Sequence, residues 1–396
     1  MLLKFDSKEK KQQFLISYVA FVINGMLALS IGSLLPFIRD ARGLDYAFSG
    51  LIVSLHSVGN LISSFAAGTL PVFIGRKKTI LLFNSFFALA FALIIWGKSP
   101  IMLAVAFLIT GLARGASSNF NNKVINGLAP GKAWIINGLH AMFAIGAFSF
   151  PIFLSVITKS DANNWVIACY FMLAMGVMNF ILYAIDPIES KVEKTKEAKK
   201  ETGDTSFAFF KEPLFWLCTF TLFFYLCVEQ GVIGWLVTYF KDSGLLERSV
   251  AQIMPSIQWI MILFGRLTAA VLSTKIAKTK LLRAMGAGFT AFFFVLLFSR
   301  TTPLIVFGII GFGFSMSGIY ATTISFAGKL IEKYAMAWSF LLTMASFGSI
   351  LMPTVIGAIA EQAGIVSGMS SLVVVILIDV CMILLLTSFA NKHKDE

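Results

Sequence analysis

Gly68-Thr69-Leu70-Pro71-Val72-Phe73-Ile74-Gly75-Arg76-Lys77-Lys78 is a short turn framed by glycines, ending on three cations and set between two long apolar runs. Its neighbours, residues 47–73 and 79–97, each reach the length of about 20 residues that a helix needs to cross roughly 30 Å of hydrocarbon. The stretch therefore reads as a polar hairpin between two membrane crossings. The same alternation of apolar run and short basic loop recurs to the end of the chain.

Composition agrees. The chain has 396 residues, is 58% hydrophobic, only 13% charged, and contains 40 Phe. Its mean hydropathy is +0.84. A soluble domain carries about 25% charged residues, so this chain has too little charge to clothe a hydrated surface. Soluble enzymes, disordered proteins and fibrous repeats are excluded. Cys169, Cys218, Cys227 and Cys381 all lie in apolar runs, with neither the spacing nor the setting of a disulfide framework or a metal cluster. The first apolar run is too long for a signal peptide and lacks a small-residue cleavage site.

Twelve spans are predicted: 14–38, 47–73, 79–97, 100–124, 130–157 and 165–185, then 211–240, 249–274, 280–299, 303–328, 334–360 and 367–390. Between the sixes lies a hydrophilic stretch rich in Lys and Glu. This divides the chain into an N-terminal half, 1–186, a charged linker, 187–206, and a C-terminal half, 207–396. The net charge of +12 would suggest nucleic acid in a soluble protein, but here it reflects topology. With both termini on one side, 23 Lys and Arg fall on that side and seven (Arg39, Arg42, Lys98, Lys159, Lys241, Arg248, Arg300) on the other. The positive-inside rule then puts both termini in the cytoplasm. The expectation is a multi-pass plasma-membrane protein whose partners are a small molecule and the lipid bilayer, with no nucleic acid.

Two six-span halves joined by a charged linker suit a transporter built from repeats, and several motifs sharpen this. The 68–78 stretch resembles the major facilitator loop signature G-x-L-A-D-R-x-G-R-K/R-x at Gly68, Gly75 and Arg76. Val72 and Phe73 stand where the signature has its acid and arginine, which removes the usual ion-pair latch. Asn137-Gly-Leu-His140-Ala-Met-Phe143-Ala-Ile-Gly146-Ala147, followed by Pro151, resembles the fucose and glucose–galactose permease branch. So do Tyr225 to Tyr239 around Glu229 and Trp235, Gly265-Arg266-Leu267, Gly311 to Tyr320, and Ser346 to Pro353. Ala321 departs from the proline that the branch has after its tyrosine. The resemblance implies an all-α integral membrane fold of twelve transmembrane helices in two pseudo-symmetric six-helix halves. It also implies a cavity lined by the first, fourth, seventh and tenth spans, and a monomer.

Ser, Thr and Gly in spans are ordinary packing residues. A charge at mid-span costs at least about 2.5–3.5 kcal/mol on insertion scales and needs a partner or water. Arg114, Glu229, Arg266 and Asp379 qualify. Glu229, which the resemblance places at the cavity, is either a proton-binding carboxylate, with His140 as helper, or a permanently paired acid. Arg114 binds an anionic group of a substrate, pairs with Glu229, or faces a neighbouring span and caps backbone carbonyls. Asn24, Asn119, Asn122, Asn137, His140, Gln230, Gln258, Trp259 and Tyr320 are candidate substrate contacts, because amides and imidazole read hydroxyls and aromatic faces pack on sugar rings. His56 reads as structural; Trp235 is a further candidate contact, with the interfacial aromatic belt as the competing reading for it and for Tyr239. Gly68, Gly75 and Arg76 are gating or structural residues. So is Arg266, with Asp379 as its expected partner.

The function expected is secondary active transport of a small polar solute, most naturally a sugar or sugar derivative, by alternating access and proton symport. No cofactor or metal is expected; the proton gradient is the driving force, and sodium coupling is equally compatible with a first span that lacks an acid. Two alternatives stand beside this reading: an exporter of drugs or metabolites, and a carrier of organic anions or acidic sugars using Arg114. An enzyme is not expected, since no catalytic metal or phosphate-binding motif occurs.

Overall fold

Inside hydrocarbon every backbone N–H and C=O must be satisfied within the protein, which leaves apolar runs little choice but the helix. The computed structural model describes residues 7–128, 133–188, 207–334 and 336–393, and among these no β-strand forms. Most of the linker, including Lys191, Lys194, Lys196, Lys199 and Lys200, lies outside the described residues. The helices of the N-terminal part are α1 (Lys8–Arg42), α2 (Tyr46–Ile74), α3 (Arg76–Trp96), α4 (Pro100–Leu128), α5 (Ala133–Thr158) and α6 (Trp165–Ile185). Those of the C-terminal part are α7 (Pro213–Asp242), α8 (Arg248–Leu272), α9 (Lys278–Phe298), α10 (Thr302–Met316), α11 (Ile319–Phe326), α12 (Gly328–Lys333), α13 (Ala337–Ser370) and α14 (Leu372–Lys392).

Eleven helical stretches are long and apolar enough to cross a membrane, the last of them 56 residues long, Ala337–Lys392. That last stretch is two spans. Gly364 takes φ 82° and ψ 159°, which interrupts α13. A Cβ on Gly368 would lie 2.7 Å from the Ile356 carbonyl oxygen, whereas residues twelve apart in one straight helix are about 18 Å apart. The chain therefore folds back at Gly364, and the twelve expected spans are accounted for. The tenth span is broken at Ser317 and Gly318 into α10 and α11. The break falls just before Tyr320, although Ala321 replaces the proline expected there.

The chain forms two compact units, Met1–Arg42 with Leu55–Thr195, and Gly43–Ser54 with Lys196–Glu396. In the first unit α1 is the centre. Ala20, Phe21, Leu27, Leu34 and Leu35 are all at most 1% exposed, and α1 packs on α4, α5 and α6. Small residues set the spacing. A side chain on Gly25 would collide with the Phe143 carbonyl, and one on Gly146 with the Val22 carbonyl, so α1 and α5 cross backbone to backbone. Gly111 does the same against the His56 carbonyl, and Gly59 against that of Leu108, locking α4 to α2. Between lipid-solvated helices such contacts, with interhelical hydrogen bonds, replace the hydrophobic drive. Asn179 Nδ2 donates to Asn84 Oδ1 at 2.6 Å, and Asn121 Nδ2 to the Tyr183 hydroxyl at 2.6 Å.

In the second unit α7 and α13 form the main contact. A side chain on Gly348 would strike the Phe223 carbonyl. Trp235 Nε1 donates to the Pro353 carbonyl at 3.0 Å, and the Tyr239 hydroxyl to the Leu297 carbonyl at 3.2 Å. Both rings are fully buried, so the aromatic-belt reading of Trp235 and Tyr239 is corrected: their polar atoms tie helices together. The first turns of α2 belong to this unit. Gly50 crosses Pro353 and Gly357, the Tyr46 hydroxyl donates to Asp242 Oδ2 at 2.9 Å, and the Tyr46 amide donates to Glu361 Oε2 at 2.8 Å. Large apolar side chains such as Val72, Phe73, Ile101, Val156, Leu267 and Val374 are more than half exposed, as lipid-facing residues must be.

Candidate functional site

The candidate residues form two groups, one in each unit. In the first, Asn24 on α1 is 2% exposed, and neither atom of its amide has a hydrogen-bond partner. The adjacent Gly25 crosses α5 at Phe143. Arg114 on α4 holds its guanidinium carbon 6.0 Å from the centroid of that same Phe143 ring, the outer limit of a cation–π contact. The Phe21 ring lies 5.8 Å from Phe143 and 5.7 Å from the His140 imidazole, edge to face. Asn24, Arg114 and His140 are thus gathered around the two phenylalanines where α1, α4 and α5 meet.

The remaining residues of this unit lie elsewhere. Asn137 is exposed on α5. Asn119 Nδ2 reaches the Ser64 carbonyl on α2 at 3.4 Å, while Asn122 Nδ2 donates to the Ser118 carbonyl of its own helix at 2.9 Å. His56 pairs its Nδ1 with the Thr110 hydroxyl at 2.8 Å, an interhelical hydrogen bond in the role expected of it. A Cβ added at Gly68 would meet nothing from the surrounding helices nearer than the Lys123 amine at 4.0 Å. Gly75 caps α3 at φ 85°, a conformation that side-chain-bearing residues rarely adopt, and Arg76 opens the helix. Lys77 Nζ donates to the Asp186 carbonyl at 2.6 Å. Beside it the Asp186 carboxyl is buried and unpartnered. Burial pushes it up from the usual carboxylate value to about 6, with the Lys77 charge partly opposing.

In the second unit Glu229 sits in the middle of α7 and accepts a hydrogen bond from the Tyr225 hydroxyl at 3.0 Å. The two are four residues apart, the spacing that stacks side chains on one helix face. The Tyr225 ring lies 6.4 Å from Tyr320 on α11 and 6.0 Å from Phe289 on α9. Glu229 lies within electrostatic range of the Tyr320 hydroxyl, and Arg266 and Asp379 within range of Tyr225. Gln230 is half-buried beside Glu229. Gln258 is buried between α8 and α10, where its Nε2 approaches Met316 Sδ at 3.5 Å and its Oε1 has no partner. Trp259, next to it, is 6% exposed.

The expected pairing of Arg266 with Asp379 does not form. Arg266 is exposed on α8, whereas Asp379 is fully buried on α14 with neither carboxyl oxygen hydrogen-bonded. Sequence reasoning kept Phe143 and Tyr225 only as motif letters. Their signals were present: Tyr225 at i−4 from Glu229, and Phe143 at i+3 from His140.

Each unit thus holds polar groups within apolar helices, Asn24 and Arg114 in the first and Glu229 and Gln258 in the second, and the comparisons agree on the class. Residues 17–334 match the Major Facilitator Superfamily family model, and the chain belongs to that family. It is a multi-pass membrane transporter related to sugar permeases, not an enzyme, and it handles small molecules within the membrane. It is 23% identical over 391 residues to the Protein TsgA homolog of Serratia proteamaculans, covering 96% of each chain. It is 21% identical over 353 residues to the glucose/mannose transporter GlcP of Bacillus subtilis, covering 87% of each. The fold matches that of a point mutant of the nucleoside transporter NupG with a TM-score of 0.76 at 16% identity, over 98% of this chain and 100% of that one.

Proposed function

We propose that this transporter carries a sugar or sugar derivative across the cytoplasmic membrane by alternating access, in symport with protons. The observation that carries the reading is the Glu229 carboxylate. It stands mid-span in an apolar helix, accepts a hydrogen bond from the Tyr225 phenol and lies within electrostatic range of Tyr320. Such an acid is costly when charged, and taking up a proton relieves that cost, which is what a coupling site requires. In the first unit, the unpartnered Asn24 amide offers donors and acceptors for hydroxyls. The half-buried Phe143 ring offers a flat apolar face for the C–H side of a sugar ring. The similarity to a glucose/mannose transporter favours a hexose.

A second reading rests on Arg114. A guanidinium on α4 beside the Phe143 ring is suited to bind a carboxylate in bidentate fashion, which would make the substrate an acidic sugar or another organic anion. We further assign both termini to the cytoplasm, the halves to 1–186 and 207–396 with 187–206 as linker, and the working form to the monomer.

The test is uptake of glucose, mannose and glucuronate into proteoliposomes, with and without an inward proton gradient. Gradient-driven accumulation of a neutral hexose is expected. Uptake confined to glucuronate would transfer the assignment to Arg114. Dependence on sodium alone would remove Glu229 as a proton site, and no uptake of any of the three would point to export or another solute.

A further inference from the structure

Asp379 is not used by the mechanism above. It lies in the middle of the twelfth span, about equally far from the turn at Gly364 and the end of α14 at Lys392. It is 0% exposed, and neither of its carboxyl oxygens has a hydrogen-bond partner. An ionised carboxylate without water, cation or donor is not stable in such a place. The helices packed on α14 are α7, α9 and α13, and their charged and titratable groups are few. From α7, Tyr225 and Cys227 lie within electrostatic range of Asp379. Tyr225 directs its hydroxyl to Glu229. On α9, Arg283 is engaged two turns along with Thr387 and Ser388 of α14, and Lys278 and Lys280 stand at the helix start. On α13, Glu361 accepts from the Tyr46 amide. Arg266 of α8 acts on Tyr225 and forms no ion pair with Asp379. The phenol of Tyr225 thus has one acid bonded to it and a second, empty-handed, within its field.

We propose that Asp379 is a second protonation site of the transport cycle, carrying its proton as the neutral acid while buried as it is here and releasing it to water when the cycle hydrates this face of α14. The step breaks the carboxyl O–H bond and delivers the proton to water, leaving the carboxylate; rebinding reverses it, and no other reactant is needed. The Tyr225 hydroxyl donates to Glu229 and lies within electrostatic range of Asp379, which links the charges of the two acids. The proposal rests on the symport reading and extends it from one carboxyl to two.

The first test does not need a substrate. Infrared difference spectra of the purified full-length protein at neutral pH should show a carboxylic-acid carbonyl band that shifts in heavy water. The band should be lost in Asp379→Asn, displaced in Asp379→Glu and kept in Glu229→Gln. A band unchanged in both Asp379 variants would overturn the proposal. Asparagine mimics the neutral acid in shape, so folding should survive, and the Asp379→Glu displacement assigns the band even where the Asn variant fails to fold. The second test uses D-glucose in proteoliposomes. Asp379→Asn should keep counterflow exchange and lose accumulation above equilibrium under an inward proton gradient. Accumulation equal to wild type would overturn a role in coupling. Should wild-type protein take up no glucose, the hexose reading fails by itself, and the infrared band alone decides whether Asp379 holds a proton.

Discussion

The polar groups gathered where α1, α4 and α5 meet differ in kind from those gathered along α7. The first set is a cation, an amide and an imidazole around two phenylalanines: Arg114, Asn24, His140, Phe21 and Phe143. The second is acids and phenols: Glu229, Tyr225 and Tyr320, with Asp379 behind them. Donors and acceptors beside flat apolar rings suit recognition of a polyhydroxylated or anionic solute. Carboxyls whose charge is costly suit binding and release of a proton. The proposed function therefore divides the labour, with selectivity in the first unit and coupling in the second. Substitutions in one should leave the other's readout intact.

The largest effect is expected from Glu229→Gln. Gradient-driven accumulation should fall at least about tenfold, or about 1.4 kcal/mol, while counterflow of the same sugar persists. Loss of both together would merge the two functions into one site. Next, Arg114→Ala should weaken uptake of glucuronate by about tenfold to a hundredfold, the cost of removing a hydrogen bond to a charged group at about 1.5–3 kcal/mol, and leave glucose within about twofold. Equal losses for both sugars would assign Arg114 to structure. Tyr225→Phe removes only the hydroxyl that Glu229 accepts. It should reduce accumulation by about tenfold with little change in apparent substrate affinity, and a change in affinity alone would move Tyr225 to the binding side.

Asp186 is a carboxyl of the first unit that should affect neither readout. Its carboxyl is pushed up to about 6 by burial, so the folded state favours its protonated form. The stability it contributes is complete below about pH 4 and is lost as pH rises through about 6. Relative to Asp186→Asn, wild-type protein should lose about 2 kcal/mol of stability over that interval, read as a fall in melting temperature. A constant difference between the two across pH 4 to 7 would show that Asp186 does not titrate in this range.

The membrane spans were legible because hydropathy is summed over twenty residues and tolerates local error. The hairpin after the second span was legible because cations between apolar runs have few other uses, but the turn is narrower than 68–78: residues 68–74 finish α2, only Gly75 is non-helical, and Arg76 to Lys78 open α3. The break between α10 and α11 at Gly318 was hidden, since both sides are apolar and the residue that would have announced it, a proline at 321, is absent. The reading of Trp235 and Tyr239 failed for a related reason: a ring near a span's end has the same sequence signature whether it faces headgroups or a neighbouring helix. Glu229 stood out because charge in hydrocarbon is rare. Arg266 and Asp379 stood out equally, but which faces they occupy depends on how α8 and α14 turn in the bundle, and one proved exposed and the other buried. The missing partners of Asn24 and Asp379 depend on three-dimensional packing and leave no pattern along the chain.

The central claim is that sugar and proton move together, with Glu229 as the proton site. The most direct measurement is the external pH of lightly buffered proteoliposomes on addition of D-glucose, with no gradient imposed. The account predicts that wild-type protein alkalinises the medium as sugar enters, and that Glu229→Gln does not. Sugar entry with no change of pH in the wild type would contradict it.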